Sequence, residues 1–325
     1  MAYSNEVVRR ARQRLESQKA DHESLQQARL RQVYEKLPRV REIDRQLRSS
    51  MVLAVQAAFV KGTDGQEALA QVRQANLALQ SERKALIDAA FPADFLNERP
   101  ICPQCGGSGY IGSTMCRCLS ELCRQEQMKE LSVLAAGATS FEEFRLEYYP
   151  ERVDPKYGAS PRAIMTRILD ICRKYAAGFT PNASNLLFNG GTGLGKTFLS
   201  ACIAREVTAK GYSVVYESAQ HLFAKLEKHR FHPDESSAQA VENYNQCDLL
   251  IVDDLGTELT GNFIIAALYA LVNDRLLAGK PMIISTNLNI NEISQRYSPQ
   301  IASRLQGSFQ LLPFVGEDIR VLKNK

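Results

Sequence analysis

Three things are scarce in this sequence: net charge, long apolar runs and an apolar leader. Each scarcity removes a class of function. Lys and Arg exceed Asp and Glu by only four over 325 residues. A basic field covering the whole surface is excluded, so nucleic-acid binding would have to come from a local patch. The excess is itself local, since residues 1–100 hold 17 basic and 13 acidic side chains and leave the remainder near neutral. No segment approaches the ~18–20 continuous apolar residues of a membrane-spanning helix. The start, Met1-Ala2-Tyr3-Ser4-Asn5-Glu6, lacks the apolar core of a secretion signal. A cytoplasmic protein with no membrane partner is expected. With 45% hydrophobic and 23% charged residues, the composition is that of a globular protein. The length suggests two or three domains.

Residues 3–91 read as helix almost throughout, rich in Arg, Gln, Glu, Ala and Leu. Pro38 separates a first segment from a second. In the second, Val40, Ile43, Leu47, Met51, Val55 and Phe59 recur every three or four residues. Gly62 and Gly65 bracket a turn. Leu69, Val72, Leu79, Leu86 and Ala90 continue the spacing, with Asn76 and Arg83 interrupting it. Two antiparallel helices would pair these seams. The arm is either plain helical packing or a face offered to another protein.

Four of the eight cysteines fall within residues 102–118. Cys102 and Cys105, then Cys116 and Cys118, are two close thiolate pairs joined by a glycine-rich stretch, the spacing of a four-cysteine zinc site. A redox C-x-x-C is the rival for the first pair, but it leaves the second unexplained. Cys123, Cys172, Cys202 and Cys247 sit in helical or apolar contexts and read as packed thiols. Leu119–Leu134 reads as a helix. Ser160 can cap a helix running from Pro161 to about Phe179.

From residue 180 strands and helices alternate, as for a parallel sheet. Strand candidates are 185–189, 213–217, 248–253, 281–286 and 308–314. Gly190-Gly191-Thr192-Gly193-Leu194-Gly195-Lys196-Thr197 matches G-x-x-x-x-G-K-[ST] at every fixed position, between the first strand and a helix opening at Phe198. Such a loop wraps N–H groups around a polyphosphate, with Lys196 reaching the β- and γ-phosphates of a nucleoside triphosphate and Thr197 ligating Mg²⁺. The strand 248–253 ends in Asp253 and Asp254. Asp253 suits Mg²⁺, through water, and Asp254 suits activation of the attacking water. Asn287 can reach the γ-phosphate or that water. Arg304 and Arg320 are either surface residues or stabilisers of transition-state charge.

The order of phosphate loop, Asp253-Asp254, Ser285-Thr286-Asn287 and Ser303-Arg304-Leu305 resembles an AAA+ ATPase of the DnaC/DnaI/IstB group. Asp253-Asp254-Leu255-Gly256-Thr257-Glu258 and Gly316-Glu317-Asp318-Ile319-Arg320 extend the likeness, which covers about half the chain. The cysteine cluster is similar to that of DnaI-like replicative helicase loaders, whereas IstB-type transposition ATPases usually lack one. The resemblance implies an α/β P-loop AAA+ core with a five-stranded parallel sheet and no full helical lid. It would follow a helical arm (1–98), a zinc module with its helix (99–135) and a connector (136–160), and would occupy 161–325.

The resemblance also implies residue roles. Asn287 would be the γ-phosphate sensor, Arg304 the finger acting on a neighbouring copy's ATP, and Arg320 the second sensor. Self-association in a ring or spiral, a DnaB-type helicase and single-stranded DNA would be the partners. Candidate DNA contacts are Lys228, Arg230, Phe231, Asn262 and Phe263, where basic residues and aromatics interleave. They could equally be a solvated helix end and a core phenylalanine. Two departures qualify the likeness. Asp254 stands where many relatives have Glu, which points to slow hydrolysis. The chain ends five residues after Arg320, so the site is expected to be open. A transposition target-selection ATPase and a nucleotide-gated adaptor with negligible hydrolysis are the alternatives.

Overall fold

The structure is a computed structural model and describes residues 3, 5–58, 63–96, 99–134 and 140–322. Two compact units divide it: residues 14–116, and residues 1–13 together with 117–325.

The first unit is built on α1 (Asn5–Lys36, from residue 14 onward), α2 (Pro38–Ala58) and α3 (Thr63–Ala90). Pro38 opens α2, where its missing N–H is not needed and its fixed φ suits the first turn. Val33, Val40 and Ile87 are buried together, with Tyr34, Leu37, Leu86, Phe91, Phe95 and Leu96 packed around them. Gly65, expected in a turn, lies inside α3. It falls in the first turn, where the backbone N–H groups lack intrahelical partners anyway. Gly62 and the side chains of Met51, Val55, Phe59 and Leu69 lie outside the described residues.

The two polar interruptions of the α3 seam are satisfied across the α2–α3 pair. Arg83 Nε donates to Asp44 Oδ1 at 2.8 Å, and Tyr34 Oη donates to Asp44 Oδ2 at 2.8 Å. Ser50 Oγ donates to Asn76 Oδ1 at 2.7 Å. Partly buried polar groups with partners fix register instead of leaving the seam open. Beyond the arm, β1 (Tyr110–Ile111) and β2 (Thr114–Met115) form a small antiparallel hairpin.

The second unit holds a five-stranded sheet between two helical layers. Its strands are β3 (Asn185–Asn189), β4 (Val214–Ser218), β5 (Leu249–Leu255), β6 (Met282–Thr286) and β7 (Phe309–Pro313). All pair in parallel, in the order β4-β5-β6-β3-β7. Burial on both faces explains why the strands are nearly continuous apolar runs. Leu186, Phe188, Leu249, Ile251 and Ile283 face α5 (Pro161–Ala177) and α6 (Lys196–Ala209). Leu187, Leu250, Val252 and Ile284 face the other layer. That layer comprises α7 (Ala219–Phe231), α8 (Glu235–Gln246), α9 (Asn262–Leu277), α10 (Ile290–Arg296) and α11 (Pro299–Ser308). Helix α4 (Arg117–Leu134) meets α6 and β4, with Gln127 donating to the Val214 carbonyl. A last turn, α12 (Ile319–Leu322), follows β7. Ser160 caps α5 by accepting from the Ala163 N–H, with Pro161 in the first turn, as the sequence predicts.

The strands match the five sequence candidates to within two residues at each end. The order adds what sequence does not carry: β6 lies between the phosphate-loop strand β3 and the acidic strand β5.

Asp44 accepts from two partners, so Asp44→Ala takes one hydrogen bond from Arg83 and one from the Tyr34 hydroxyl. Local stability of the arm is expected to fall by about 2 kcal/mol. Hydrogen exchange checks this: amides of 38–50 and 70–90 should lose protection while those of β3 and β6 keep theirs.

Candidate functional site

The phosphate loop runs from the end of β3 into the first turn of α6. Its conformation depends on a second segment, Phe314–Arg320, lying against it. Phe314 N–H donates to Asn189 O at 2.6 Å, and Ile319 N–H to Gly193 O at 3.1 Å. Gly190 and Gly193 have φ of 153° and 70°. A Cβ at Gly190 would stand 2.3 Å from the Phe314 carbonyl oxygen, and one at Gly193 1.8 Å from an Asp318 carboxylate oxygen. Glycine is therefore required at both positions by this contact as well as by backbone conformation. Gly195 caps α6, Gly191 and Thr192 are exposed at the tip, and Leu194 is buried beneath. Tyr149 Oη donates to the Leu194 carbonyl at 3.0 Å, and the Phe198 ring packs on Phe144, 5.7 Å between centroids. The connector aromatics thus back the loop.

Lys196 is only 5% exposed and donates through Nζ to the carbonyls of Gly190 and Gly191, each at 2.6 Å. Burial lowers its pKa below the usual lysine range, with Asp254 and Asp253 opposing and Arg320 reinforcing the shift. Thr197 follows it in the first turn of α6, half-buried.

Asp253 and Asp254 sit in a break of the β5–β6 register. Val252 pairs with Ile284, but the next pair is Leu255 with Thr286, so β5 carries one extra residue. Such a bulge re-aims side chains at a strand end. Asp254 takes φ of 55°, a left-handed conformation uncommon outside Gly, Asn and Asp. Asp253 is buried, and both its oxygens are engaged: Ser285 Oγ donates to Oδ1, and Tyr216 Oη to Oδ2 at 2.7 Å. The Ser285 Oγ also accepts the Asp254 N–H at 2.9 Å, so one hydroxyl of β6 organises both acids. Partial desolvation and the Asp253 charge raise the Asp254 pKa above the ordinary carboxylate range, against Lys196 and Arg320.

Neither Tyr216 nor Ser285 is assigned a role by the sequence motifs. The signal for Tyr216 is its place at the C-terminal end of β4, two residues before Ser218, which pairs with Asp253. Asn287 is exposed just beyond β6, its Oδ1 3.2 Å from where a Cβ on Gly256 would stand. Arg320 follows Ile319, whose N–H bonds the Gly193 carbonyl, so its backbone lies beside the same loop. Arg304 sits on α11. Its guanidinium lies 4.3 Å from the Tyr269 ring centroid, donates to Tyr269 Oη at 2.7 Å, and donates to Asn273 Oδ1 at 3.0 Å. These contacts hold it against α9.

The candidate DNA residues gather around α7 and the start of α9. Phe231, 59% exposed, packs on Phe263 at 5.7 Å between centroids. Arg230 and Phe263 line a cavity of about 400 Å³ between α7, α8 and α9. Lys228 pairs with Asp234 at 2.6 Å, where Asp234 also caps α8. Asn262 is the first residue of α9.

The Sγ atoms of Cys102, Cys105, Cys116 and Cys118 all lie within 4.8 Å of one another. Cys102 and Cys116 are 3.8 Å apart, which is the S···S spacing of a tetrahedron with Zn–S of about 2.3 Å. The Gly109 N–H donates to Cys105 Sγ at 3.3 Å, an outer hydrogen bond that suits a thiolate ligand. The donor set and geometry fit a tetrahedral soft-ligand metal site. Cys123, Cys172, Cys202 and Cys247 are buried, and burial raises all four thiol pKa values, that of Cys123 to about 11.

A phosphate loop on one strand, an acidic pair two strands away in the sheet, and helices on both faces define a P-loop ATP-binding core of the AAA+ type. Residues 163–305 match the model of the IstB-like ATP binding protein family. The chain is 23% identical over 138 residues to the replicative helicase loader DnaC of Escherichia coli (strain K12), covering 42% of this chain. It spans about half the length of that relative, 56%. Its fold is similar to the crystal structure of the DnaC helicase loader, with 19% identity and a TM-score of 0.46 over 54% of this chain and 96% of that one. It is also similar to that of DnaI, with 16% identity and a TM-score of 0.44 over 59% and 98%. Among the described residues no helix is long and apolar enough to cross a membrane.

The raised pKa of Asp254 carries a stability cost with a definite sign. A folded-state pKa above the unfolded one favours folding below the unfolded pKa, and that contribution is lost as pH rises through the folded pKa. At neutral pH the ionised Asp254 is therefore a liability, and Asn tolerates its left-handed φ at least as well. Because Asp254 is exposed and its charge is screened by solvent, Asp254→Asn is expected to raise Tm only slightly at pH 7. The gain should shrink as pH falls through the Asp254 pKa, which differential scanning fluorimetry across a pH series measures.

Proposed function

We propose that this protein is an ATP-dependent loader of a replicative DNA helicase. The observation that carries the reading is a DnaC/IstB-type ATP core joined, in one chain, to an upstream four-cysteine cluster. The division of labour follows the sequence: an arm (1–98) and cysteine module (99–135) that hold a DnaB-type helicase, a connector (136–160), and the ATPase (161–325). Work on replication DNA sets the protein in the cytoplasm.

In this reading the phosphate loop Gly190–Thr197 cradles ATP through its N–H groups and the start of α6. Lys196 turns from its own loop carbonyls to the β- and γ-phosphates, exchanging one set of acceptors for another. Thr197 would hold Mg²⁺, with Asp253, clamped by Ser285 and Tyr216, holding it through water, and the ion would supply charge neutralisation for the phosphates. Asp254 takes a proton from the attacking water, and its raised pKa suits a base. Asn287 orients that water or senses the γ-phosphate, and Arg320 stabilises charge in cis. Asp254 is one methylene shorter than Glu, which makes hydrolysis slow.

Arg304 acts in trans. Its support is its location, held by Tyr269 and Asn273 on the α9–α11 face. Assembly into a ring or spiral would bring it to a neighbour's ATP. Single-stranded DNA is engaged by Arg230, Phe231, Asn262 and Phe263. Lys228 contributes less, because Asp234 already neutralises it. The cysteine cluster holds one structural Zn²⁺, supported by the sulfur spacing.

Size-exclusion chromatography with the host's replicative helicase tests the function. A complex should form with an ATP analogue and weaken with ADP, and Lys196→Ala should lose the nucleotide dependence. Absence of any complex, or ATP-dependent filaments on duplex DNA instead, overturns the loader reading. Elemental analysis tests the metal: about one zinc per chain is expected, with a substantial loss in Cys102→Ser. A metal-free wild-type chain that keeps its fold contradicts it.

A further inference from the structure

The turn that follows the acidic pair is bolted to a distant part of the chain by one buried carboxylate. Glu258 is 5% exposed, yet it lies only four residues after Asp254 in a loop. Its Oε2 accepts the Gly256 N–H at 3.0 Å, and its Oε1 accepts the Tyr297 hydroxyl. The Arg296 guanidinium donates to the Glu258 backbone carbonyl. Tyr297, 4% exposed, sits directly between α10 and α11. A buried carboxylate without partners is costly, so an acid kept at this position is held for its hydrogen bonds.

The bonds converge on Asp254. Gly256 has φ of 108°, and a Cβ there would stand 2.7 Å from Leu288. The Thr257 hydroxyl donates to the Asp254 carbonyl at 2.9 Å, and Thr286 Oγ1 to the Leu255 carbonyl at 2.6 Å. Asp254 itself is in the left-handed region, a conformation that persists only when the surroundings over-determine it. Ser285 fixes the N–H of Asp254, and Thr257 its carbonyl. Glu258 ties the turn beyond it to Arg296 of α10 and to Tyr297.

We propose that Glu258, seated by Tyr297, is a positioning residue for hydrolysis: it holds the turn that aims Asp254. This rests on the reading of Asp254 as the group that activates water. Glu258 touches neither nucleotide nor water. It sets the backbone from which Asp254 projects and anchors it to the segment linking Asn287 to the Arg304 helix. Catalysis is sensitive to small misplacements of such a base, whereas nucleotide binding by the Gly190–Thr197 loop does not involve this turn.

The test is steady-state hydrolysis by the full-length protein, with nucleotide affinity and Tm measured on the same samples. Glu258→Ala is expected to lower kcat at least about tenfold with KM for ATP within about threefold. Tyr297→Phe is expected to lower kcat about threefold, and Glu258→Gln, which keeps a carbonyl acceptor, should recover part of the loss. The double variant Glu258→Ala/Tyr297→Phe should be no worse than Glu258→Ala, because the two act as one unit. Unchanged kcat in Tyr297→Phe and Glu258→Gln, or effects confined to Tm, overturns the proposal. So does a kcat loss that adds in the double variant. Should Glu258→Ala fail to fold, the two conservative variants decide. Lys196→Ala serves as the separate control: if wild type turns over no faster than Lys196→Ala, the ATPase reading has failed, not the clamp.

Discussion

The one-residue slip between Val252 and Leu255 is the constraint on which the site depends. A regular β5 would send Asp253 and Asp254 to opposite faces of the sheet, one into each helical layer. The bulge lets Asp253 stay buried between Tyr216 and Ser285 while Asp254 swings out in a left-handed conformation. That arrangement needs β6 next to β5, since Ser285 serves both acids at once. It also needs β6 next to β3, where Phe188 pairs with Ser285 and the phosphate loop begins two residues later. Sheet order, bulge and loop are one device.

The same device gathers charge of both signs, with Lys196 and Asp253 buried and Asp254 exposed. Lys196 is buried and its pKa falls; Asp254 is crowded by Asp253 and its pKa rises. Each is less stable in its ionised form than it would be in water. The fold tolerates this because the two aliphatic layers, and the aromatic backing from Phe144, Tyr149 and Phe198, hold the loop regardless. Sites of this kind hold polar groups in place for a ligand at some expense to stability.

Much of this was legible in the sequence, for identifiable reasons. The strands stood out because parallel strands buried on both faces are unbroken apolar runs. The phosphate loop and acid pair stood out because a few residue types at fixed spacing serve one chemistry. The cysteine cluster was visible because four thiols within 17 residues have few other uses. What stayed hidden depends on pairing across the sheet or between helices. Tyr216 reads as one more strand aromatic, and Ser285 as a strand-end hydroxyl. Asn76 and Arg83 read as flaws in a seam until Ser50 and Asp44 are placed opposite them. Arg304 was recognisable as an arginine of interest, but its seat on Tyr269 and Asn273 could not be inferred from spacing.

The central claim is that hydrolysis occurs between copies, with Lys196 and Asp254 from one chain and Arg304 from the next. Mixing two inactive proteins tests it most directly. Lys196→Ala keeps its finger and loses its site; Arg304→Ala keeps its site and loses its finger. The account predicts that an equimolar mixture hydrolyses ATP at least about tenfold faster than either variant alone, a modest share of what a finger residue contributes. A mixture no faster than the sum of its parts, in the presence of an active wild type, would contradict it.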